Sequence, residues 1–166
     1  MQLPTRDPAL DRLDALVGEW DTEMTHPLIP GVTRGHAAFE WLAGRAFLIW
    51  RSDVPPGAIP SAIAIIGGGS TPGTWPLEYF DSRGVSRTYQ VSMDDGIWRM
   101  WRDHPGFSQR AAGTFGDDGR TIRWLSELQE DGPWKPDLEV TFRRRRQATA
   151  SRSGIGAAWL SGGGAR

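Results

Sequence analysis

Turn-forming residues interrupt this chain so often that it has room for little besides short β-strands. From residue 18 onward, Gly, Pro and Asp-Gly steps separate runs of about five to ten residues, as expected for consecutive hairpins. The composition agrees, because the 166 residues include 21 Gly, 12 Pro and nine Trp, and broad aromatic side chains suit pleated surfaces. The pattern predicts strands at residues 18–25, 33–42, 45–53, 61–66, 77–81, 85–93, 97–102, 107–115, 121–129 and 134–145.

A single helical stretch precedes these strands. Its apolar residues fall at helical spacing, at Leu10, Leu13 and Val17. Asp7 supplies an N-cap, Pro8 suits the first helical position and Gly18 ends the helix. We therefore predict an all-β fold, an up-and-down antiparallel barrel of about ten strands after a short helix over residues 8–17, because closure leaves no exposed edge. A β-sandwich is the alternative, although few connections suit Greek-key crossovers.

The barrel domain is predicted to span residues 1–146, and residues 147–166 read differently. This last segment is rich in Ala, Ser and Gly, with Trp159 and Leu160 as its main apolar residues. Such a composition cannot bury enough apolar surface to fold alone. We predict a disordered tail there.

Charge and cysteine content exclude several classes of protein. The formal net charge is −1, so neither nucleic acid nor an anionic membrane is expected as a partner. The absence of Cys removes disulfides, thiolate zinc sites and cysteine nucleophiles. No run approaches the roughly 20 apolar residues that cross a bilayer, and the N-terminus lacks the apolar core of a secretory signal. We expect a cytoplasmic monomer or homodimer with no metal site.

Strand alternation indicates which side chains point into the barrel. In residues 85–92 one face is small and polar throughout, so the other face, which carries Arg87 and Tyr89, is predicted to point inward. A buried Arg is costly unless it is paired. Asp81, across the predicted hairpin, is a candidate partner, and an anionic ligand group is another.

The same reasoning predicts a ligand site inside the barrel. Its polar end would be formed by Tyr79, Arg87, Tyr89 and Arg102, and the rest of its lining by Trp98, Phe107, Gln109 and Trp124. Both faces of residues 97–102 are amphipathic, and we favour Trp98, Met100 and Arg102 as the inward set. Small inward residues in 107–115 leave volume for a ligand. The expected partner is a small apolar or amphipathic molecule.

The chain resembles known barrel families at its first strand. Gly18-Glu19-Trp20, directly after a helix, is similar to the Gly-x-Trp signature of the calycins, which include lipocalins, fatty-acid-binding proteins and nitrobindins. That resemblance implies a Trp at the barrel base under a basic residue of the last strand, here Arg143 or Arg145.

More specifically, residues 10–145 resemble an uncharacterised bacterial lipocalin-like family of unknown function. The resemblance is carried by Phe39-Glu40-Trp41-Leu42, Gly44, Phe47-Leu48, Tyr79-x-Asp81-x-Arg83-Gly84, Arg87-x-Tyr89, Gly96-x-Trp98 and Pro105-Gly106-Phe107-x-Gln109-Arg110. It implies a fold and no known reaction.

Haem is not expected as a cofactor. Nitrobindins bind haem through a His near the start of the last strand, and the matching place here, Lys135-Pro136-Asp137-Leu138, holds Asp137 instead. The three histidines lie elsewhere, at His26, His36 and His104. We expect no cofactor unless His36 or His104 substitutes.

Ligand binding is the first functional hypothesis, and two alternatives stay open. A barrel enzyme, a cyclase or isomerase, would act by folding its substrate with hydrogen bonds from Glu40, Arg87 and Tyr89. Glu40 is a candidate acid or base if it is desolvated, whereas pairing with Arg51 or Arg45 would make it structural. The other alternative is an interaction module with a filled core.

Overall fold

The computed structural model describes residues 6–146, so the predicted tail at 147–166, with Trp159 and Leu160, lies outside the described residues. One short 3₁₀ helix, Pro8–Leu16, precedes ten strands. These are β1 (Gly18–His26), β2 (Ile29–Trp41), β3 (Phe47–Asp53), β4 (Ala62–Gly67), β5 (Thr74–Asp81), β6 (Ser86–Asp94), β7 (Ile97–Arg102), β8 (Ser108–Phe115), β9 (Thr121–Gln129) and β10 (Lys135–Arg144).

The strands form one closed ring in chain order. Each strand pairs with its sequence neighbour, and β1 pairs antiparallel with β10 to close the barrel. This confirms the predicted up-and-down antiparallel barrel with a short N-terminal helix. Within residues 6–146, no helix is long and apolar enough to cross a membrane.

Two strands begin earlier than predicted. β2 starts at Ile29 and takes in Pro30, and β5 starts at Thr74 and takes in Pro76. Proline removes only its own N–H from the ladder, so a strand tolerates it near its start. Treating every Pro as a strand end therefore shortened both predictions.

The helix has three residues per turn rather than 3.6. Its buried residues are Leu10, Leu13 and Leu16, an i, i+3 series that aligns on one side of a 3₁₀ helix. Val17, which helical spacing suggested, is only partly buried because it lies beyond the helix. Asp7 caps the N-terminus as predicted, accepting from the Ala9 backbone N–H at 2.9 Å.

Trp20 and Arg144 seal the helix end of the barrel. Trp20 is fully buried, and its indole N–H donates to the Leu16 carbonyl at 2.8 Å. The Arg144 guanidinium lies 4.1 Å from the Trp20 ring centroid and donates to the carbonyls of Val17 (2.6 Å) and Ala15 (2.7 Å). The helix is thereby tied to the last strand.

The expectation that Arg143 or Arg145 covers Trp20 is wrong. Trp20 lies directly opposite Arg144 in the β1–β10 register, and directly opposed residues share a face of the sheet. The two neighbouring arginines point outward, where Arg145 bonds to Asp21 at 2.6 Å.

Replacing Arg144 by Lys should lower the free energy of unfolding by about 1–2 kcal/mol. An ammonium cannot bond two carbonyls in a planar fork while it stacks on an indole ring. Urea unfolding of Arg144→Lys beside the outward-facing Arg143→Lys measures the difference. Equal losses in both variants would contradict this role for Arg144.

Five aromatic residues fill the barrel above this seal, and we call them the aromatic floor: Phe39, Trp50, Trp98, Trp124 and Phe142. Trp98 and Trp124 have ring centroids 4.3 Å apart. A Cβ on Gly113 would lie 3.1–3.2 Å from both of these indoles. The sequence suggested that the space beside Gly113 would hold a ligand, but Trp98 and Trp124 occupy it.

Candidate functional site

The barrel is hollow between the aromatic floor and the opposite end. A cavity of about 300 Å³ lies there, at the low end of the size range of small-molecule sites. The β1–β2, β3–β4, β5–β6, β7–β8 and β9–β10 connections surround its mouth. Six of the residues predicted to bind a ligand line it: Tyr79, Arg87, Tyr89, Phe107, Gln109 and Trp124.

A smaller apolar chamber of about 120 Å³ adjoins this cavity. The two share part of their lining, including Trp50, Ile59 and Trp124. The smaller chamber is otherwise walled by residues such as Met24 and Val140. An apolar group of a ligand would contact mainly apolar side chains there.

A larger depression of about 1040 Å³ lies mainly on the outer wall of β7 to β10. Its lining includes outward-facing charged side chains, among them Arg110, Arg123, Glu127 and Glu139, which pair with one another as Arg110–Glu127 and Arg123–Glu139. We take the interior cavity as the candidate site because it combines enclosure by aromatic side chains with a few convergent polar groups.

Three side chains form the polar wall of the cavity: Arg87 and Tyr89 on β6, and Gln109 on β8. The Tyr89 hydroxyl and the Arg87 guanidinium both donate to Gln109 Oε1, at 2.7 and 3.2 Å. The guanidinium also lies 4.8 Å from the Phe107 ring centroid. Within residues 6–146 no carboxylate lies within 4.0 Å of the Arg87 guanidinium nitrogens. Burial raises the pKa of Tyr89, so this phenol is a neutral donor at neutral pH.

Asp81 does not pair with Arg87, contrary to the sequence-based prediction. Its carboxylate accepts from the Arg83 guanidinium (2.7 Å), the Arg83 backbone N–H (2.9 Å) and the Tyr79 hydroxyl (3.0 Å). A carboxylate that bonds the backbone two residues on shapes its own turn, here the β5–β6 turn. The Arg83 hydrogen bonds hold the pKa of Asp81 well below its usual range, and burial together with the bond to Asp81 raises that of Tyr79.

Three predicted site residues lie outside the cavity lining. Trp98 is fully buried in the aromatic floor beneath it. Arg102 donates to the Phe107 carbonyl at 2.9 Å and holds the β7–β8 turn instead. Glu40 is exposed on the outer wall, where it bonds to Arg51, which is the structural pairing that the sequence left open beside an acid–base role. The inward residues of β2 near it are Phe39 and Ala37.

The structure adds a polar pair that sequence reasoning missed. His26, at the end of β1, and Asp137, on β10, both line the cavity, with His26 Nε2 3.0 Å from Asp137 Oδ1. They are 111 residues apart in sequence, so only ring closure joins them.

A β-bulge directs Asp137 inward. The β9–β10 register shifts between Pro136 and Glu139, and the Ser126 hydroxyl bonds both the N–H and the carbonyl of Leu138, each at 2.9 Å. Bulges re-aim side chains in this way. Sequence alternation carries no signal for it.

Ile59 was also missed. It is the buried apolar residue of the proline-rich β3–β4 connection, and it lines both chambers. Ser61 ties that connection together, since its hydroxyl bonds the N–H and carbonyl of Val54 at 3.0 and 3.2 Å. A lone Ile among Pro and Gly was the only sequence signal.

The histidines offer no open ligand position toward the cavity. His36 bonds to Glu19 and His104 is exposed on the β7–β8 connection. His26 has both ring nitrogens engaged, by the Leu28 backbone N–H and by Asp137. Among residues 6–146, no group of three or more Asp, Glu or His is placed to hold a metal ion. The absence of a cofactor stays a prediction.

Comparison with known proteins identifies the fold and not a family. No family model matches the chain, and no curated protein matches it in sequence. The crystal structure of Rv2717c from M. tuberculosis is similar, with a TM-score of 0.64 and 15% identity over 86% of this chain and 100% of that one. The S-type phycobiliprotein lyase CPES from Guillardia theta is also similar, with a TM-score of 0.53 and 10% identity over 87% of this chain and 100% of that one. At 15% and 10% identity, the similarity supports the barrel fold of this chain and nothing beyond it.

Proposed function

We propose that this protein binds a small amphipathic molecule inside its barrel, with the polar end of that molecule against Arg87, Tyr89 and Gln109. The observation that carries the proposal is the Arg87 charge, which faces the barrel cavity and whose partners among residues 6–146 are the neutral side chains Gln109 and Phe107. A half-buried charge of this kind is costly, and a carboxylate, carbonyl or phenolate of a ligand would offset that cost.

The donors available at Arg87 fit this role. A guanidinium has five N–H donors, and one contact to Gln109 occupies a single one of them. The other N–H groups can donate to a ligand oxygen, while Gln109 and the Phe107 ring hold the guanidinium in place. The aromatic floor and the small apolar chamber accept the rest of the molecule.

Catalysis is the second candidate function, and one geometric feature favours it. Arg87 and Tyr89 donate to the same oxygen of Gln109, so a substrate oxygen in that place would receive both bonds, as in oxyanion stabilisation. A cyclase or isomerase would therefore use Arg87 and Tyr89 without Glu40. The enclosed cavity speaks against a filled-core interaction module. We further expect a cytoplasmic monomer or homodimer.

Replacing Arg87 by Met should weaken binding of a one-ring carboxylate, 3-phenylpropanoate, at least tenfold, because a hydrogen bond to a charged group contributes about 1.5–3 kcal/mol. Isothermal titration calorimetry measures the affinity. The affinity of the neutral probes 4-phenylbutan-2-one and 4-propylphenol should fall less in Arg87→Met, because these probes carry no charge for Arg87 to bind.

The matched control is Arg99→Met on the outer wall of the neighbouring strand. Its affinities should equal those of the wild type. If none of the three probes binds the wild type at millimolar concentration, or if both variants lose affinity equally, the proposal fails.

A further inference from the structure

The cavity has polar groups on two facing walls. Arg87 lies on β6, and β1, which carries His26, is five strands away in the ring of ten. Asp137 lies on β10, four strands away. Arg87 and the His26–Asp137 pair therefore face each other across the barrel, and both lie near the open end.

The hydrogen bonds of His26 show which of the pair carries charge. The Leu28 backbone N–H donates to Nδ1 at 3.0 Å, so that nitrogen bears no proton. The ring proton is then on Nε2, which donates to Asp137 Oδ1 at 3.0 Å. Because the imidazole is then neutral, the negative charge of Asp137 is not balanced by His26. Both side chains are only 19% exposed, so water screens this charge little.

Other charges near the cavity are already compensated. Arg83 is paired with Asp81, and Arg110 with Glu127. Arg87 and Asp137 remain, on facing walls and without an ion pair to each other within 4.0 Å. No described residue donates to the second oxygen of Asp137, Oδ2.

We infer that the ligand carries two polar groups on a ring-sized apolar body: an anionic group for Arg87 and a hydrogen-bond donor, a hydroxyl or amino group, for Asp137. This inference rests on the proposed function and narrows its ligand class. The same cavity is also lined by apolar side chains, among them Met100, Phe107 and Leu138. The cavity that both poles line has a volume of about 300 Å³, about twice that of the roughly 150 Å³ apolar cavity that holds benzene in another protein, which suits one ring with a polar group at each end.

Three probes that differ only at the ring test the second pole. They are 3-phenylpropanoate, 3-(4-hydroxyphenyl)propanoate and 3-(4-methoxyphenyl)propanoate, measured by isothermal titration calorimetry on the full chain. The hydroxyl probe should bind about tenfold more tightly than the methoxy probe, because only the hydroxyl donates to a carboxylate.

Asp137→Asn should abolish that tenfold difference. Asn still accepts from His26 Nε2 but lacks the charge, so the pair keeps its geometry. Glu127→Gln, an outward carboxylate on the neighbouring strand that pairs with Arg110, is the control and should keep the difference.

The outcomes separate this inference from the proposed function. Binding of all three acids in an Arg87-dependent way, with equal affinity for the hydroxyl and methoxy probes, overturns the second pole alone. A hydroxyl preference that survives Asp137→Asn also overturns it. Failure of every acid to bind the wild type overturns the proposed function, and with it the inference. If Asp137→Asn does not fold, comparing the hydroxyl and methoxy probes on the wild type still tests the second pole.

Discussion

Replacing Trp98 by Ala should lower the free energy of unfolding by about 3–5 kcal/mol, the largest loss we expect from any single change in this barrel. Trp98 is fully buried, and its ring lies 4.3 Å from Trp124, 5.2 Å from Trp50 and 5.7 Å from Phe39, centroid to centroid. The closed ring of strands cannot collapse around the cavity that truncation leaves. A domain of ordinary stability, about 5–15 kcal/mol, would lose a large fraction of it.

The same substitution on the outer wall provides the control. Trp101 lies on the same strand, three residues away, and faces outward. Trp101→Ala should cost under about 1 kcal/mol. Urea unfolding monitored by circular dichroism gives both values. A loss below about 2 kcal/mol for Trp98→Ala would mean that the aromatic floor repacks and is not a rigid support for the cavity.

Asp81→Asn should lower the free energy of unfolding by about 2–3 kcal/mol at pH 7. The Asp81 side chain is fully buried and bonds to Arg83, to the turn backbone and to Tyr79. An amide cannot accept all of these bonds, and it leaves the Arg83 charge without a counter-charge. The effect should reach the cavity, because Tyr79 lines it.

The loss from Asp81→Asn should depend on pH. The pKa of Asp81 is lowered on folding, chiefly by the Arg83 hydrogen bonds, from about 3.9 in the unfolded chain. The stabilisation by the ionised group is therefore fully present above the unfolded pKa and is lost as the pH falls below about 4. The wild type and the variant should converge in stability at acidic pH.

Unfolding in guanidinium chloride at a series of pH values from neutral to strongly acidic measures this convergence. The control is Asp117→Asn, in the exposed β8–β9 turn, which should change the free energy of unfolding by less than about 0.5 kcal/mol. A constant difference between Asp81→Asn and the wild type at every pH would show that the shape of the side chain matters and its charge does not.

Local patterns predicted the part of the site that depends on one strand at a time. Alternation placed Arg87 and Tyr89 inside, because successive side chains point to opposite faces whatever the strand pairs with. The same argument placed Phe107 and Gln109. It failed for Trp98, since alternation says that a residue points inward but not how far along the barrel axis it lies.

Local patterns could not predict which side chains Asp81 and Glu40 pair with. Asp81 is equally compatible with Arg83 and Arg87 by sequence, and the tight β5–β6 turn selects the nearer one. Glu40 sits between apolar neighbours in sequence, yet its strand turns it toward solvent and Arg51. In both cases the geometry of a turn or a register decides between two chemically reasonable partners.

By itself the sequence determined the strand and turn pattern, the short helix before Gly18-Glu19-Trp20 and the inward direction of Arg87, because each depends on residues within a few positions of one another. Tertiary structure alone decided that Arg144 covers Trp20, that tryptophans close the floor, and that His26 meets Asp137 across from Arg87. These depend on the register in which β10 closes on β1 and on the bulge in β10. A one-residue change in register would turn every one of those side chains to the other face.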